Sequence, residues 1–470
     1  MLYCLRLGKV MTTRIATKFK SKIHTGFQSA ALVLGLAMSG TVAHAADKPH
    51  VVMMIWDTTR TDHLSIHGYE RDTTPNLKAI AQDGVVFDHA YASGSWTGPS
   101  VSSIFTGLFG HNHEVDYATK DWAINLRDEV TTLAEVLQDA GYITALYSNQ
   151  GVVTKNKGLH QGFDIVGGAG EPMMAERTLE LIEKSADQPV FVVAYFANPH
   201  APYEPREEHD LWTDKSGPKV NIIGCGKKVA ERGWPEGYVA WCDVNWGKVS
   251  LSPAQYGQLE AAYDGELHQN DAELGELWEG LKERGIADST LFVFTSDHGE
   301  GFGDHKGAET WHTLPYDFNQ HVPLVMRYPG TFPASRVATK VRSIDIYPTV
   351  LDALGLDIQA PINGESLTGL LSGEGEDRTN IGFTHKIGFY RNSQYRFIYS
   401  RQHQKFNEIY DINKDAGEST NLAETDEALL KSLRAEVKTF MESTGLDLGE
   451  KAGAATDEEH EMLKALGYVE

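Results

Sequence analysis

The chain contains few cysteines, no long apolar run and fewer basic than acidic residues. Only 3 of its 470 residues are cysteine, which excludes a small fold held together by many disulfides. The apolar run at 30–42 is shorter than the roughly 20 residues that a membrane-spanning helix needs, so we expect no stable membrane span. The 65 acidic residues exceed the 42 Lys and Arg residues and give a net charge of −23. This charge argues against nucleic acid as a partner.

Residues 1–45 have the pattern of a secretory signal peptide. Six basic residues and no acid precede the apolar run at 30–42, and small residues at 43–46 suit cleavage. Met11 is an alternative start, and an uncleaved anchor is the alternative interpretation. We therefore expect a periplasmic or secreted protein, in which Cys225 and Cys242 either form a disulfide or remain two free thiols.

Apolar segments alternate with helical patterns through most of the chain. The pattern predicts strands and helices in turn, with strands at 50–56, 142–148, 189–196, 289–296 and 322–328 and helices at 131–141, 175–186 and 254–284. Near-continuous apolar strands separated by helices are typical of a parallel sheet that is covered on both faces. The sequence therefore predicts an α/β fold with a large, mostly parallel sheet between helices.

Two changes in composition indicate how the chain is divided. The segment 205–252 is rich in Gly, Trp and charge and interrupts the alternation, so we interpret it as an inserted loop near the functional site. A strand at 395–400 and a closing helix at 427–442 predict a smaller C-terminal α+β subdomain over 376–470. The catalytic domain would then occupy 46–375.

Polar side chains follow three of the predicted strands. Asp57 ends the first strand, His200 follows the third, and Asp297 and His298 follow the fourth. In open parallel sheets the ligand binds beyond the carboxyl ends of the strands. Carboxylates with one imidazole are suitable ligands for a divalent metal ion.

The stretch SGSWTGPSVSSIFTG at 93–107 predicts a helix with Thr97 at its beginning. Pro99 suits an early helical position, and the first amides of a helix can hold an anionic oxygen. Thr97 is therefore either a helix N-cap, which is a common role for threonine, or a nucleophile.

Seven motifs in order resemble the sulfatase branch of the alkaline phosphatase superfamily. They cover nearly the whole mature chain and read WDTTRTDHLSIHGY (56–69), DTTPNLKAIAQDGVVFDHAYA (72–92), NPHAPYEP (198–205), YDGELHQNDAELGEL (263–277), FTSDHGEGFGDH (294–305), RSIDIYPTVLDALGL (342–356) and EIYDINKDAGESTNLA (408–423). The resemblance implies an alkaline-phosphatase-like fold and hydrolysis of an anionic ester of a small molecule, glycan or lipid.

Carried over position by position, the resemblance implies a metal site and two catalytic histidines. Asp57, Thr97, Asp297 and His298 fall on positions that bind the metal. His200 falls on a contact to the substrate oxyanion. His312 lies near the position of a lysine that contacts the transferred group in many relatives, and His305 is a weaker candidate.

Three positions differ from the family pattern. Formylglycine sulfatases need Cys or Ser where Thr97 stands and Arg where Val101 stands, and Thr58 replaces a second metal-binding Asp. We therefore expect no formylglycine. Hydrolysis of a threonine sulfate at sulfur is harder than hydrolysis of a phosphothreonine, so phosphoesters are favoured over sulfate esters.

The sequence leaves alternatives for the number of metal ions and for the function of the protein. We expect one ion, Ca, Mn or Zn. A second ion on Asp264, His268 and His312 is the alternative, because Asp264 and His268 share a helix face. A catalytically inactive relative that binds anionic glycans or lipids is the alternative function, and transfer to an alcohol on a membrane lipid is a third.

Overall fold

The computed structural model describes residues 48–115, 125–153, 158–167, 174–185, 188–224, 233–305, 310, 313–373, 375–384, 386–401 and 406–448. The predicted signal peptide, Cys225 and His312 lie outside these residues. Among the helices in the described ranges, none combines the length and apolar character needed to cross a bilayer.

The strands of the described residues form one large sheet and two small ones. They are β1 (His50–Trp56), β2 (Val85–Tyr91), β3 (Ile143–Ser148), β4 (Ile165–Gly167), β5 (Val190–Phe196), β6 (Asn221–Ile223), β7 (Tyr238–Ala240), β8 (Thr290–Ser296), β9 (His321–Arg327), β10 (Ser335–Val337), β11 (Val341–Arg342), β12 (Asn380–Phe383), β13 (Ile387–Arg391), β14 (Tyr395–Ser400) and β15 (Asn407–Asp411). The large sheet has the order β10-β2-β9-β8-β1-β5-β3-β4, with β11 also paired to β2.

The α-helices of the described residues differ widely in length. They are α1 (Pro75–Ala81), α2 (Thr97–Thr106), α3 (Gly110–His113), α4 (Leu133–Asp139), α5 (Met174–Lys184), α6 (Trp241–Asn245), α7 (Pro253–Glu283), α8 (Asp317–Gln320), α9 (Ile346–Ala353) and α10 (Glu427–Thr444). Ser252 caps α7 in a capping box with Gln255, and Pro253 occupies its first turn. Both features satisfy or remove amides that a helix start leaves without partners.

The large sheet is mostly parallel and lies between two helical layers. β1 pairs in parallel with β5 and β8, and β9 alone runs antiparallel to its neighbours β2 and β8. Alternate residues of β1 enter two different cores: Val51, Met53 and Ile55 pack towards α2, α4 and α9, whereas Val52, Met54 and Trp56 pack towards α1, α5 and α7. The period of two in a strand separates these faces. The predicted fold class is confirmed.

A four-stranded antiparallel sheet, β12-β13-β14-β15, forms the core of the C-terminal part of the chain. Phe397 and Ile409 of this sheet pack against Leu433 and Val437 of α10. The predicted inserted loop contains the small parallel pair β6-β7 and α6, and its Cys242 is disulfide-bonded.

Candidate active site and metal centre

Asp57, Asp297 and His298 meet at the carboxyl ends of adjacent strands. Trp56, the last residue of β1, pairs in register with Ser296, the last residue of β8, so both aspartates follow their strands at the same height. All three side chains are fully buried. His298 Nε2 lies 3.6 Å from Asp57 Oδ1 and 3.4 Å from Asp297 Oδ2. One ligand atom from each residue lies within 4.8 Å of the others.

The orientation of His298 suits a metal ligand. Its Nδ1 lies 2.9 Å from the Gly299 carbonyl oxygen, which can only accept, so Nδ1 carries the hydrogen. Nε2 then presents its lone pair to the two carboxylates. Asp297 is held by its Oδ1, which accepts from the amides of Thr58 (3.2 Å) and His298 (2.8 Å). A fixed imidazole beside a fixed carboxylate is how proteins orient metal ligands.

The two buried carboxylates of Asp57 and Asp297 bring negative charge into the cluster, which a bound cation would balance. Burial raises the pKa of Asp57 well above its ordinary value, and Asp297 raises this pKa further, whereas His298 and the hydrogen bond from Gln150 lower it. Asp57 Oδ1 has no hydrogen-bond partner within the described residues. Two buried carboxylates and one imidazole therefore fit a divalent ion, which would supply the missing partner and balance the negative charge.

Thr97 is the first residue of α2 and is fully buried. Its Oγ1 makes no hydrogen bond to any described part of the chain. The N-cap position belongs to Trp96, whose carbonyl accepts from Ser100 N at 3.2 Å. The interpretation of Thr97 as an N-cap is therefore wrong, and the side chain is an unsatisfied hydroxyl at the beginning of a helix.

One short segment connects the loop before Thr97 to the loop of the acidic cluster. Asn319 Nδ2 donates to the Ser95 carbonyl at 3.0 Å, and the Asn319 carbonyl accepts from Gly299 N at 2.9 Å. Gln320 Nε2 also donates to the Gly94 carbonyl at 2.9 Å. The position of α2 relative to the strand end of β8 is thus fixed by hydrogen bonds through the end of α8.

The histidines predicted from the sequence lie in different surroundings. His200 follows β5 and its Nδ1 lies 2.7 Å from the Ala201 carbonyl, so it sits at the same sheet edge but outside the cluster of three. His305 stacks on Tyr316 with ring centroids 3.9 Å apart. It lines a cavity of about 280 Å³ that also contains Arg60 and Glu418. The catalytic roles of His200 and His312 remain predictions.

The second metal ion on Asp264 and His268 is not supported. Asp264 is fully buried and already accepts from His63 Nδ1 (2.7 Å), Tyr69 OH (2.8 Å) and Arg71 Nη1 (2.6 Å). His268 Nδ1 instead lies 2.9 Å from Nδ1 of His209. Although Asp264 and His268 share a helix, their polar atoms serve separate structural contacts, and the described residues contain one candidate cluster of three metal-ligating side chains.

Sequence reasoning missed three residues that shape the site: Gln150, Tyr195 and Asn319. Gln150 Nε2 donates to Asp57 Oδ2 at 3.1 Å and Tyr195 OH donates to Asp297 Oδ2 at 2.8 Å. Tyr195 occurs in an apolar strand, where an aromatic residue indicates core packing. Tyr195 could have been identified from the sequence by one signal: it lies next to the carboxyl end of a strand, where the ligand site was expected.

The arrangement is that of an α/β ester hydrolase whose centre lies at the carboxyl edge of the sheet. More specifically, the chain belongs to the sulfatase family, part of the alkaline phosphatase superfamily, because the family model described as Sulfatase matches residues 49–356. A second model, N-sulphoglucosamine sulphohydrolase, C-terminal, matches residues 311–444.

Relatives and solved structures agree with this family. An arylsulfatase of Clostridium perfringens is 25% identical, with 81% of this chain and 91% of the relative covered. An N-acetylglucosamine-6-O-sulfatase of Bacteroides thetaiotaomicron is 23% identical, with 80% and 82% covered. The crystal structure of the phosphonate monoester hydrolase of Agrobacterium radiobacter is similar with a TM-score of 0.69 at 22% identity, with 87% and 99% covered. This structural likeness supports the fold.

Proposed function

We propose that this protein is an exported, metal-dependent hydrolase of phosphate or sulfate esters, with phosphoesters favoured, that uses Thr97 as its nucleophile. One observation carries the proposal: Thr97 Oγ1 is fully buried and has no hydrogen-bond partner in the described part of the chain. An unsatisfied buried hydroxyl costs about 1–3 kcal/mol, and such groups in native proteins call for an explanation. A bound cation and substrate would offset that cost.

The proposed cofactor is one divalent ion held by Asp57, Asp297 and His298, with Thr97 as the fourth protein ligand. Of Ca, Mn and Zn, the imidazole among oxygen ligands favours Mn or Zn. When bound, such an ion lowers the pKa of an alcohol and offsets charge on the ester oxygens. The full burial of the three side chains and the lone pair of His298 Nε2 support this assignment.

The chain's own residues account for two displacement steps. In the first, the Thr97 hydroxyl releases its proton to solvent and Oγ attacks phosphorus, while the bond from phosphorus to the ester oxygen breaks and the leaving oxygen takes a proton, for which His312 is the proposed donor. In the second, water attacks phosphorus and gives a proton to His312, the bond from phosphorus to Thr97 Oγ breaks, and Oγ takes up a proton from solvent. His200 is proposed to donate a hydrogen bond to a non-bridging oxygen in both steps.

The nature of the nucleophile favours phosphorus over sulfur. A formylglycine hydrate can release sulfate by collapsing to the aldehyde, and the ester oxygen of a threonine sulfate has no such route. The sequence also has Val101 where the formylglycine pattern requires arginine. Hydrolysis at phosphorus therefore suits Thr97 better, although sulfatase names predominate among the relatives.

The proposed substrates are anionic esters of small molecules, glycans or lipids. One similar structure, at a TM-score of 0.66 and 21% identity, is a complex with D-glucosamine-2-N,6-O-disulfate. A relative from Bacteroides thetaiotaomicron is named Delta 4,5-hexuronate-2-O-sulfatase. These names support a sugar ester as one possible substrate class for this chain.

Export to the periplasm or the outside of the cell is proposed from two independent features. Residues 1–45 have the pattern of a signal peptide. Cys242 is disulfide-bonded, and structural disulfides persist mainly in oxidising compartments. One relative, from Drosophila melanogaster, is named an extracellular sulfatase.

The decisive experiment compares p-nitrophenyl phosphate, phosphodiester, phosphonate and sulfate esters with added Mn, Zn or Ca. Wild type is expected to hydrolyse a phosphorus ester, Thr97→Ala to lose this activity, and Thr178→Ala to keep it. Thr178 is a matched control because it is a fully buried threonine on α5 whose hydroxyl bonds Met174 O at 2.7 Å. Activity that survives in Thr97→Ala rejects the nucleophile. Metal binding without turnover in wild type supports the inactive binding protein instead.

A further inference from the structure

Gln150 and Tyr195 bind the two acidic residues of the cluster from outside it. Gln150 Nε2 donates to Asp57 Oδ2 at 3.1 Å, and Tyr195 OH donates to Asp297 Oδ2 at 2.8 Å. Tyr195 is fully buried, and Gln150 is nearly so. Both donors are neutral, so they bind carboxylates without neutralising the charge that a cation requires.

The amide of Gln150 is itself fixed in one orientation. Its Oε1 accepts from Val152 N at 3.0 Å, and its backbone N–H donates to Ser148 Oγ at 3.0 Å. An oxygen that accepts from an amide leaves the Nε2 group as the donor on the other side. Gln150 therefore directs an N–H group at Asp57 and cannot reverse without losing the bond to Val152.

The sheet places Tyr195 behind the same cluster. In register, Tyr195 of β5 lies beside Ile55, one residue before the end of β1, and beside Ser148, the last residue of β3. Its ring belongs to the large core, whereas its hydroxyl reaches Asp297. A phenylalanine would fill the same core volume, so core packing does not account for the hydroxyl.

These contacts decide which carboxylate oxygens are available. Asp57 Oδ2 is taken by Gln150, whereas Asp57 Oδ1 makes no hydrogen bond within the described ranges and lies 3.6 Å from His298 Nε2. Asp297 Oδ1 is taken by two amides, and its Oδ2, held by Tyr195, lies 3.4 Å from the same nitrogen. Each aspartate thus presents one oxygen to the centre of the cluster.

We propose that Gln150 and Tyr195 are positioning residues of the metal centre that supply no ligand themselves: Gln150 occupies the oxygen of Asp57 that faces away from the cation, and Tyr195 orients the oxygen of Asp297 that faces it. This inference rests on the proposed divalent ion. Removing partners of this kind typically weakens metal affinity ten- to a hundredfold. Tyr195→Phe preserves the packing of the metal-free protein, whereas Gln150→Leu also leaves the Val152 amide without its acceptor, so only a loss of metal affinity reports on the positioning role.

The test measures metal affinity and the stability of the metal-free protein separately. Mn and Zn are titrated by calorimetry into the chelator-treated mature protein, as wild type, Tyr195→Phe, Gln150→Leu and Tyr347→Phe. Tyr347 is a matched control, because it is a fully buried tyrosine in the same core whose hydroxyl has no hydrogen-bond partner in the described structure. Metal-free melting temperatures are recorded for all four proteins.

We expect Tyr195→Phe and Gln150→Leu to bind the ion ten- to a hundredfold more weakly, with Tyr347→Phe equal to wild type. Wild-type affinity in both cluster variants, with a lowered metal-free melting temperature, would mean that the two groups only stabilise the fold, and the inference would be overturned. Failure of wild type to bind either ion would overturn the metal centre itself, a different and separable result.

Discussion

Asn319 donates its side-chain N–H group to the carbonyl oxygen of Ser95, two residues before the proposed nucleophile. The same amide also donates to the Leu314 carbonyl at 3.0 Å, and the Asn319 backbone accepts from Gly299. Asn319 is fully buried. Asn319 therefore holds the beginning of α2 and the loop of the acidic cluster in one relative position, together with the bond from Gln320 to the Gly94 carbonyl.

Replacing this asparagine should impair turnover more than binding. Asn319→Leu keeps the volume but removes the side-chain donor to the buried Ser95 carbonyl, at about 1–3 kcal/mol, whereas the Leu314 carbonyl keeps its bond from Tyr316 N. A small displacement of Thr97 is expected to lower kcat tenfold or more and leave KM nearly unchanged, since reaction rates are sensitive to misplacement of the attacking group. Steady-state kinetics on the best phosphorus ester measures this.

The control for that variant is Asn421→Leu in the C-terminal part of the chain. Asn421 accepts from Ile409 N at 3.0 Å and is remote in sequence from the site. It should lower the melting temperature without changing kcat. If Asn319→Leu lowers the melting temperature but leaves kcat unchanged, as expected for Asn421→Leu, the hydrogen bonds of Asn319 have no part in catalysis.

Thr97→Val and Thr97→Ser should separate the hydroxyl from the shape of the side chain. Thr97→Val keeps the shape and removes an unsatisfied buried hydroxyl, so stability should be equal or higher by about 1 kcal/mol while activity falls at least about a thousandfold. Thr97→Ser keeps the alcohol and should retain measurable turnover. Thermal unfolding together with kinetics checks both. A Thr97→Val protein that hydrolyses the ester at the wild-type rate contradicts the proposed mechanism.

Asp57→Asn should raise the melting temperature of the metal-free protein and lower it, relative to wild type, when metal is present. Without a cation, Asp57 and Asp297 are two buried carboxylates that face each other across His298, so Asp57→Asn should raise the melting temperature of the chelator-treated protein. With Mn or Zn present, wild type gains stability by mass action and the variant gains much less. Differential scanning calorimetry with and without metal measures this. The same order of melting temperatures under both conditions would argue against a cation at this cluster.

Glu266 should make the fold less stable as the pH rises. It is 2% exposed, and burial raises its pKa from 4.5 to about 8. Its Oε1 accepts from Glu204 N at 2.7 Å, but Oε2 has no partner among the described residues. Because the folded state binds the proton more tightly, stability is greatest below about pH 4.5 for this group and falls between pH 4.5 and 8, by on the order of 5 kcal/mol at most.

Glu266→Gln removes this titration and keeps the acceptor oxygen. Its melting temperature should therefore exceed that of wild type at pH 8 and approach it near pH 5. The control is Glu283→Gln, an exposed glutamate at the end of the same helix, which should follow the wild-type profile. Parallel profiles for Glu266→Gln and wild type would show that Glu266 is ionised in the folded protein.

The strands that build the centre were predictable because they are continuous apolar runs. The predicted strands at 50–56 and 289–296 correspond to β1 and β8, and Asp57 and Asp297 follow them directly. Strand β2 was not predicted, since its VVFDHAY sequence mixes polar and apolar residues. It pairs with β9, far along the chain, and such distant pairing leaves no local signal.

The contacts around the cluster could not be predicted for a similar reason. Gln150 and Asn319 occupy loops, where polar residues are ordinary, and their partners are distant in sequence. The pattern of i and i+4 placed Asp264 and His268 on one helix face, but it could not show that His63, Tyr69 and Arg71 already bind Asp264. Sequence spacing identifies candidate metal ligands, whereas the contacts of the folded chain decide which of them have an atom available to bind an ion.

All ten residues of α2 are buried, from Thr97 to Thr106. A processing enzyme that has to bind the segment around position 97 would find none of these ten residues exposed in the finished molecule. Any covalent maturation at this position, including one engineered by exchanging Thr97 for cysteine, would have to take place on the nascent or translocating polypeptide. The time available for such maturation is therefore set by the rate at which α2 is enclosed.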